Sequence, residues 1–277
     1  MTMGSINELL TDNNQHSEIL TSAGDLAADE KLSAYVVGGY VRDMLLGRDT
    51  NDIDIMVEGD GIEFAKKLAE KLNVNVTVDY DEFGTALIPH PELGIEVASA
   101  RKEEYQPDSR KPHVIQTTVE EDMSRRDFTI NAIAASILPD SFGELYDPFG
   151  GLKDLQKGLI ITPLDSDETF SDDPLRMLRA VRFAAQLEYE VAPTVLESIS
   201  RNVSRLKIIS WERIRDEIIK SLHADKPSIA FYLMKDTGLL SYVFPELDIM
   251  SGVDVISGKG HKDVFIHTLQ VVDNAAA

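Results

Sequence analysis

The sequence contains no cysteine among its 277 residues. This absence excludes a disulfide-stabilised scaffold, a zinc site with cysteine ligands and catalysis by a thiol. The chain also has no apolar run that approaches the roughly 18 residues of a membrane span, and it does not open with a basic segment followed by an apolar one, as secretory leaders do. We therefore expect a soluble cytoplasmic protein with no membrane partner.

Basic residues are scarce, since 27 Lys and Arg stand against 48 Asp and Glu and the formal net charge is −21. Proteins that bind phosphate backbones usually present a basic surface, so this charge by itself argues against a nucleic-acid partner. The acidity is uneven: residues 1–100 carry 6 basic and 19 acidic side chains, whereas residues 201–277 carry 10 of each. The ten Lys and Arg within 176–226 are enough for local contacts with phosphates.

The pattern of apolar residues divides the chain into a mixed front half and a helical rear half. The strict alternation of Asp52–Val57 predicts a half-buried strand. Apolar residues at helical spacing predict most of the rear half as helix. The other predicted strands are 34–37, 74–78, 85–88 and 95–98, and the predicted helices are 5–21, 41–46, 62–72, 125–136, 173–187, 193–202, 210–222 and 227–237.

Two acidic residues stand on one face of the predicted strand. Asp52 and Asp54 are two positions apart, so their Cα atoms lie about 6.6 Å apart on the same side. Carboxylates so placed repel each other unless a cation lies between them, and two Mg²⁺ ions about 3.5 to 4 Å apart would fit. A solvated strand face is the alternative interpretation of this pair alone.

A glycine pair precedes this strand by 13 residues. Gly38 and Gly39 stand at a predicted strand-to-helix turn, where backbone N–H groups can approach an anion, and Arg42 follows one helical turn later. Ordinary turn chemistry also explains such glycines. A nucleoside triphosphate with Mg²⁺ is the ligand that requires both a phosphate cradle and a carboxylate pair.

Several runs of residues resemble, in order, the motifs of the class II tRNA nucleotidyltransferase and bacterial poly(A) polymerase family. The resemblance extends from about residue 34 to 250. It departs from the usual pattern at Asp172-Asp173, where the family has Glu-Asp, and this exchange keeps the charge. The runs are Val37–Asp43, Asp52–Asp54, Arg125–Ala132, Asp172–Phe183 and Glu212–Glu217.

This resemblance implies an α+β protein, with a polymerase-β-like nucleotidyltransferase head of mixed sheet and helices, followed by an all-helical neck and body. The expected divisions are an N-terminal helical extension at 1–30, the head at 31–150, the neck at 151–225 and the start of the body at 226–277. Residue by residue, it implies Asp52 and Asp54 as catalytic ligands of Mg²⁺, and Gly38, Gly39, Arg42, Arg126, Asp173, Arg176, Arg179 and Arg182 as nucleotide-binding residues.

The neck helix also suggests a base preference. At 100° per residue, Asp173, Arg176 and Arg179 lie within about 120° of one another, opposite an apolar side. Ion pairs on a surface helix are the alternative reading. Cytosine and adenine each offer an amino donor beside a ring-nitrogen acceptor, which a carboxylate and a guanidinium would match, whereas guanine and uracil would be mismatched. We therefore predict selective addition of CMP and AMP.

The predicted reaction is attack of a primer 3′-hydroxyl on the α-phosphate of ATP or CTP, with release of pyrophosphate. The expected partner is the 3′ end of tRNA, which would receive CCA; no pattern points to a protein partner. A poly(A) polymerase or a partial CC- or A-adding enzyme shares these motifs. A non-catalytic nucleotide- or RNA-binding relative is the alternative from another class, although it would not need the repulsive Asp52–Asp54 pair. Glu96, on another predicted strand, is a candidate third carboxylate.

Two further segments are read by resemblance. The polar loop Arg101–Val114 resembles the segment that the family uses to switch from C to A addition, and a disordered hairpin is the alternative. From about residue 258, the run containing His261 and His267 resembles the opening of a truncated HD metal-hydrolase region. Because no His-Asp dipeptide occurs in the chain, we expect no complete phosphohydrolase site.

Overall fold

The computed structural model describes residues 5–12, 14–74, 78–80, 84–91, 93–104, 113–252 and 263–276. The chain forms two compact units, Met1–Lys153 and Asp154–Ala277. Residues 105–112 of the predicted switching loop, and His261, lie outside the described residues. No helix within the described part of the chain has the length and apolar character needed to cross a membrane.

Unit 1 contains helices and a mixed sheet whose strands are distributed along the whole sequence of the unit. In the described residues, seven strands form one sheet in the order β3-β4-β5-β2-β1-β8-β9. The helices are α1 Asn7–Asp12, α2 Asn14–Glu30, α3 Gly39–Leu45, α4 Gly61–Lys71 and α5 Val119–Ser124. Helix α6, Gly151–Lys157, begins in this unit and ends in the next. The strands are β1 Ala34–Val37, β2 Asp52–Val57, β3 Val78–Tyr80, β4 Thr85–Pro89, β5 Gly94–Ser99, β6 Arg101–Glu104, β7 His113–Gln116, β8 Ala134–Ser136 and β9 Leu145–Tyr146.

Strand β2 lies in the middle of this sheet and has the predicted bounds. It pairs in parallel with β5 and antiparallel with β1. Its alternation sends Ile53, Ile55 and Val57 into the main core of the unit. The opposite face carries Asp52 and Asp54, because successive side chains point to opposite faces of a strand. One face of the strand is therefore fixed by packing while the other presents carboxylates.

The N-terminal segment differs from the expected extension. Leu10 in α1 and Leu20, Ala23 and Ala27 in α2 are buried in the same core as the sheet. Helix α2 lies close to the chain just after β8, and only glycine allows this at position 24, because an added Cβ there would collide with the Ile137 carbonyl. The sequence pattern did not predict this burial, because residues 5–21 are mostly polar and the small residues that allow the close approach are only weakly hydrophobic.

The predicted helix at residues 125–136 is wrong. Helix α5 ends before it, Thr129–Asn131 form one 3₁₀ turn, and Ala134–Ser136 form β8, which pairs with β1. Every residue from 131 to 137 is buried. A segment buried on all sides has no polar face, so its apolar residues do not reveal whether the period is that of a helix or a strand.

Unit 2 is mainly helical, and α8 lies at its centre. Helices α10 and α11 pack on α8, whose buried residues include Met177, Leu178 and Val181. The predicted helix at 173–187 begins two residues later than expected, at Leu175, because Asp173 is extended and Pro174 is the N-cap of α8. The elements are β10 Leu159–Ile160, α7 Ser166–Asp172, α8 Leu175–Leu187, β11 Glu190–Val191, α9 Pro193–Asn202, α10 Trp211–Leu222, α11 Ser228–Thr237, α12 Leu240–Val243, α13 Pro245–Asp248 and α14 Val264–Ala276.

Candidate functional site

Three carboxylates lie on the neighbouring strands β2 and β5. Asp54 is directly opposite Glu96 in the parallel register, and Asp52 is opposite Gly94. Asp54 is half-buried, and Asp52 and Glu96 are exposed. Burial, with the negative charges of Glu96 and Asp52, raises the pKa of Asp54 to about 6, against the lowering influence of Arg126 and Arg42. Burial is the main cause of this raised pKa, and the two acidic neighbours add to it.

The chemistry of these donors fits a magnesium ion that is shared with a phosphate ligand. Within the described residues, no group of three or more His, Asp or Glu side chains is placed to hold a metal on its own. Mg²⁺ prefers oxygen ligands and is usually bound by one or two carboxylates together with water and substrate phosphates. A carboxylate pair on β2 matches that mode, and a closed structural metal site is not indicated.

Gly94 makes room for the Asp52 side chain. A Cβ added at Gly94 would lie 2.6 Å from Asp52 Oδ1 and 3.7 Å from its Cγ. Real Cβ atoms essentially never approach another heavy atom to 2.6 Å, so the carboxylate would have to move. No signal in the sequence marked this glycine, because its role depends on the register of two strands that are 42 residues apart.

We expect Gly94→Ala to lower the nucleotide-transfer activity that the sequence predicts by about 10- to 100-fold, because misplacing a reacting group by about 1 Å can cost on the order of 100-fold. The melting temperature should change little, since the atom displaced is the end of a flexible side chain. Gly59→Ala is the matched control: its added Cβ would lie 2.9 Å from Leu32 Cδ2, away from the carboxylates. Equal loss of activity in both variants would contradict this role of Gly94.

Arg42 on α3 is buried and held in one orientation by two side chains. Its Nε and Nη2 donate to Asp43 Oδ1 and Oδ2 at 2.9 and 2.7 Å, and its Nη1 donates to Asn131 Oδ1 at 2.7 Å. Asn131 Nδ2 in turn donates to Asp127 Oδ1 at 2.9 Å. Asp127 and Asn131 belong to the run Arg125–Ala132 that resembles a family motif, but no local pattern assigned them this supporting role.

Arg126 lies against the glycine turn. Its Nη2 is 3.2 Å from Asp122 Oδ2, and its Nη1 donates to the Asn131 carbonyl at 3.4 Å. Burial raises the pKa of Asp122, but the Arg126 and Arg125 guanidiniums outweigh it and hold that pKa below its usual range. Arg126 is thus fixed by an ionised carboxylate while remaining about one quarter exposed.

Glycine is needed for different physical reasons at the two positions of the turn. Gly38 has φ +69°, and a Cβ there would lie 2.6 Å from Arg126 Nη1, so the fold itself requires it. At Gly39, among the described atoms, an added Cβ would come within 4 Å only of Arg42 Nη2, at 3.7 Å. The space beside Gly39 is therefore open apart from this one atom, as close approach of a ligand would require.

The predicted base-reading residues lie in unit 2. Asp173 stands between α7 and α8 rather than on the helix, and its carboxylate is half-buried. Arg176 Nη1 donates to the Thr169 carbonyl at 3.4 Å, and the Arg179 guanidinium is 5.3 Å from the centre of the Phe183 ring. Asp173, Arg176 and Arg179 are all half-buried, so each keeps part of its surface accessible.

The resemblance implies a nucleotide contact for Arg182, and the structure shows its side chain buried against other side chains. It is 7% exposed, its Nε donates to Glu217 Oε2 at 2.6 Å, and its Nη1 donates to Gln186 Oε1 at 2.8 Å. Its guanidinium also covers the Phe183 ring at 4.0 Å. The charge of Arg182 is therefore compensated inside the packing of α8 against α10, which the sequence could not show because Glu217 is 35 residues away.

A mixed sheet whose middle strand carries a carboxylate pair, beside a glycine turn flanked by two fixed arginines, defines a nucleotidyltransferase-like head. Residues 34–161 match the family described as the poly(A) polymerase head domain. Residues 188–250 match the one described as the probable RNA and SrmB-binding site of polymerase A. The chain belongs to the tRNA nucleotidyltransferase and poly(A) polymerase family.

Individual relatives agree with this membership. The chain is 41% identical over 199 residues to the A-adding tRNA nucleotidyltransferase of Aquifex aeolicus, a match that covers 70% of this chain and 24% of the relative. It is 36% identical over 212 residues to the CCA-adding enzyme of Geobacillus kaustophilus, covering 76% of this chain and 50% of that enzyme. The chain thus spans from about a quarter to about half the length of the curated relatives it matches.

Solved structures show the same similarity. The Thermotoga maritima CCA-adding enzyme in complex with tRNA superposes with a TM-score of 0.76 at 30% identity, over 92% of this chain and 57% of that one. A tRNA nucleotidyltransferase complexed with a primer tRNA and an incoming ATP analogue gives a TM-score of 0.71 at 35% identity, over 82% of this chain and 66% of that one. The predicted α+β class is confirmed.

Proposed function

We propose that this chain carries the catalytic machinery for adding nucleotides to the 3′ end of tRNA, with ATP and CTP as substrates. The observation that carries the proposal is the pair Asp52 and Asp54 on β2, faced by the fixed guanidiniums of Arg42 and Arg126. Relatives named as tRNA nucleotidyltransferases, at 35 to 41% identity, support the same conclusion. A merely nucleotide-binding relative would have no use for a repulsive pair of carboxylates two positions apart on one strand.

The residues of unit 1 divide the work of the reaction. Asp52 and Asp54 would hold Mg²⁺, which supplies activation of the attacking hydroxyl and neutralisation of phosphate charge when bound. Arg42 and Arg126 would hold the triphosphate through charge-assisted hydrogen bonds, with Gly39 allowing its close approach. The primer 3′-hydroxyl gives up its proton to solvent as its oxygen bonds to the α-phosphorus, the bond from the α-phosphorus to the oxygen that bridges to the β-phosphate breaks, and pyrophosphate leaves. Glu96 adds negative charge beside Asp54.

Asp173 and Arg176 are the proposed readers of the base. We expect Asp173→Ala or Arg176→Ala to reduce the preference for ATP and CTP over GTP and UTP by on the order of 100-fold, because unpaired buried polar groups are what rejects the wrong base. The measurement is the ratio of kcat/KM values for the four nucleotides on one tRNA. An unchanged ratio in both variants would refute this assignment.

The function is tested with three primers and Mg²⁺: tRNA that lacks its 3′ CCA, tRNA that ends in CC, and oligo(A). Each is incubated with CTP, ATP or both, and the products are resolved on a denaturing gel. Addition of three nucleotides followed by a stop identifies CCA addition. Open-ended growth on oligo(A) identifies a poly(A) polymerase, and absence of Mg²⁺-dependent extension on every primer would overturn the proposal.

Addition of the terminal A alone is a second candidate, favoured by a specific observation. Three relatives, at 35, 41 and 35% identity, are named A-adding tRNA nucleotidyltransferases. In the same gel, an A-adding enzyme extends the tRNA that ends in CC with ATP and leaves the tRNA lacking CCA unextended with CTP. The two candidates therefore give opposite results on the shorter primer.

A further inference from the structure

The carboxylate of Asp173 is held at both oxygens. Asp173 Oδ1 accepts from the backbone N–H of Leu175 at 3.1 Å, at the start of α8. Its Oδ2 accepts from Arg213 Nη2 at 2.8 Å, across to α10. A carboxylate has about four lone-pair positions, so these two contacts fix its plane and leave acceptor positions that point in defined directions.

Arg213 stands on a rigidly docked helix. Four residues farther along α10, Glu217 makes its buried ion pair with Arg182 of α8 at 2.6 Å. Near the C-terminal end of α10, the Lys220 carbonyl accepts a hydrogen bond from Gln186 Nε2 of α8 at 3.1 Å. Because α10 is attached to α8 by these contacts, the base of the Arg213 side chain has a fixed position relative to Asp173.

The Arg213–Asp173 pair is poorly explained as a stabilising contact. The side chain of Arg213 is 52% exposed and that of Asp173 is 30% exposed, and half-exposed ion pairs contribute little to folding stability. Orientation is a different matter. Without Arg213, the single backbone contact at Oδ1 would leave the carboxylate free to rotate about it.

We propose that Arg213 is a positioning residue for base selection, acting through Asp173. This inference rests on the proposed function, in which Asp173 accepts a hydrogen bond from the amino group of adenine or cytosine. A carboxylate that can rotate still attracts donors, but it no longer presents its lone pairs where only an amino group at the right place can use them. The loss would fall on selectivity rather than on binding of the triphosphate.

The test compares Arg213→Ala and Arg213→Lys with Arg201→Ala. Arg201 Nη2 makes an ion pair of the same kind, 2.9 Å from Asp167 Oδ2, and its side chain is 57% exposed. Dissociation constants of ATP, CTP, GTP and UTP in Mg²⁺ are measured by calorimetry, without primer, together with inorganic tripolyphosphate and the melting temperature. We expect Arg213→Ala to reduce the ATP-to-GTP preference on the order of tenfold, and tripolyphosphate affinity and melting temperature to stay the same.

The remaining outcomes separate this inference from the proposed function. Arg213→Lys, which keeps the charge, should restore part of the preference, and Arg201→Ala should retain all of it. A wild-type chain that binds all four nucleotides equally would overturn base reading itself. A wild-type chain that discriminates, with the same preference in Arg213→Ala, would overturn the role of Arg213 alone. Equal weakening of the affinity for all four nucleotides would also overturn it, since that indicates a structural role.

If Arg213→Ala does not fold, Arg213→Lys alone decides the matter. An unchanged preference in Arg213→Lys overturns the proposal, and a partial loss supports it.

Discussion

Replacement of Asp54 by alanine is expected to reduce nucleotide addition by on the order of a thousandfold or more, because electrostatic stabilisation of the transferring phosphate is the main contribution that such a site makes. The fold should persist. Asp54 is ionised at neutral pH at a cost, since burial and the charges of Glu96 and Asp52 raise its pKa to about 6. Removing this carboxylate relieves repulsion, so the melting temperature should stay the same or rise.

Turnover with the tRNA primer and the melting temperature are measured on the same preparations. Asp52→Ala should show a similar loss, because it removes the other carboxylate of the pair. Glu70→Ala, an exposed position on α4, removes one negative charge from the same unit and should retain full activity. Residual turnover within tenfold of wild type in Asp54→Ala would contradict the assignment of the pair.

Replacement of Glu217 by alanine is expected to cost about 3 to 5 kcal/mol of the unfolding free energy of unit 2, the range for removing one partner of a buried ion pair. The side chains of Arg182 and Glu217 are 9% and 5% exposed, and their Nε and Oε2 atoms are 2.6 Å apart. The variant leaves the Arg182 charge buried without its carboxylate. Urea unfolding is followed by the fluorescence of the single tryptophan, Trp211, which lies on the same helix.

The control for this prediction replaces both partners. Arg182→Met combined with Glu217→Leu removes the charges together, and such replacements of buried pairs are often neutral or stabilising. We therefore expect the double variant to be more stable than Glu217→Ala alone. Glu212→Ala, exposed on the same helix, should change stability little. A loss below about 1 kcal/mol in Glu217→Ala would show that the pair is not buried as described.

Local patterns in the sequence predicted the elements that have one buried face. The bounds of β2 follow from the alternation of Asp52–Val57, and α9 has the predicted bounds 193–202. In each case the apolar residues repeat at a single period, and polar residues mark the other face. The carboxylate pair could be predicted for the same reason, because two positions along a strand determine a shared face whatever the strand pairs with.

Contacts between distant segments could not be predicted in this way. Gly94 matters because β5 lies beside Asp52, and Asn131 matters because its side chain reaches Arg42, 89 residues away. Arg182 continues the repeat of an arginine at every third position that Arg176 and Arg179 begin, yet its partner on α10 makes it a buried residue. Strand β8 lacked a polar face altogether. The motifs therefore predict a set of site residues, and the three-dimensional structure shows which of their side chains are accessible and which are held by other side chains.

The position of β2 between β1 and β5 has a consequence for motion. Amide hydrogens in the middle of a sheet exchange with solvent only when the surrounding structure opens, so those of Ile53–Val57 should exchange among the slowest in unit 1. Asp54 is part of this slowly exchanging strand and thus cannot move independently of the core. A site built there is preorganised before a ligand arrives, so any part of the protein that adapts to its ligand must lie outside this strand.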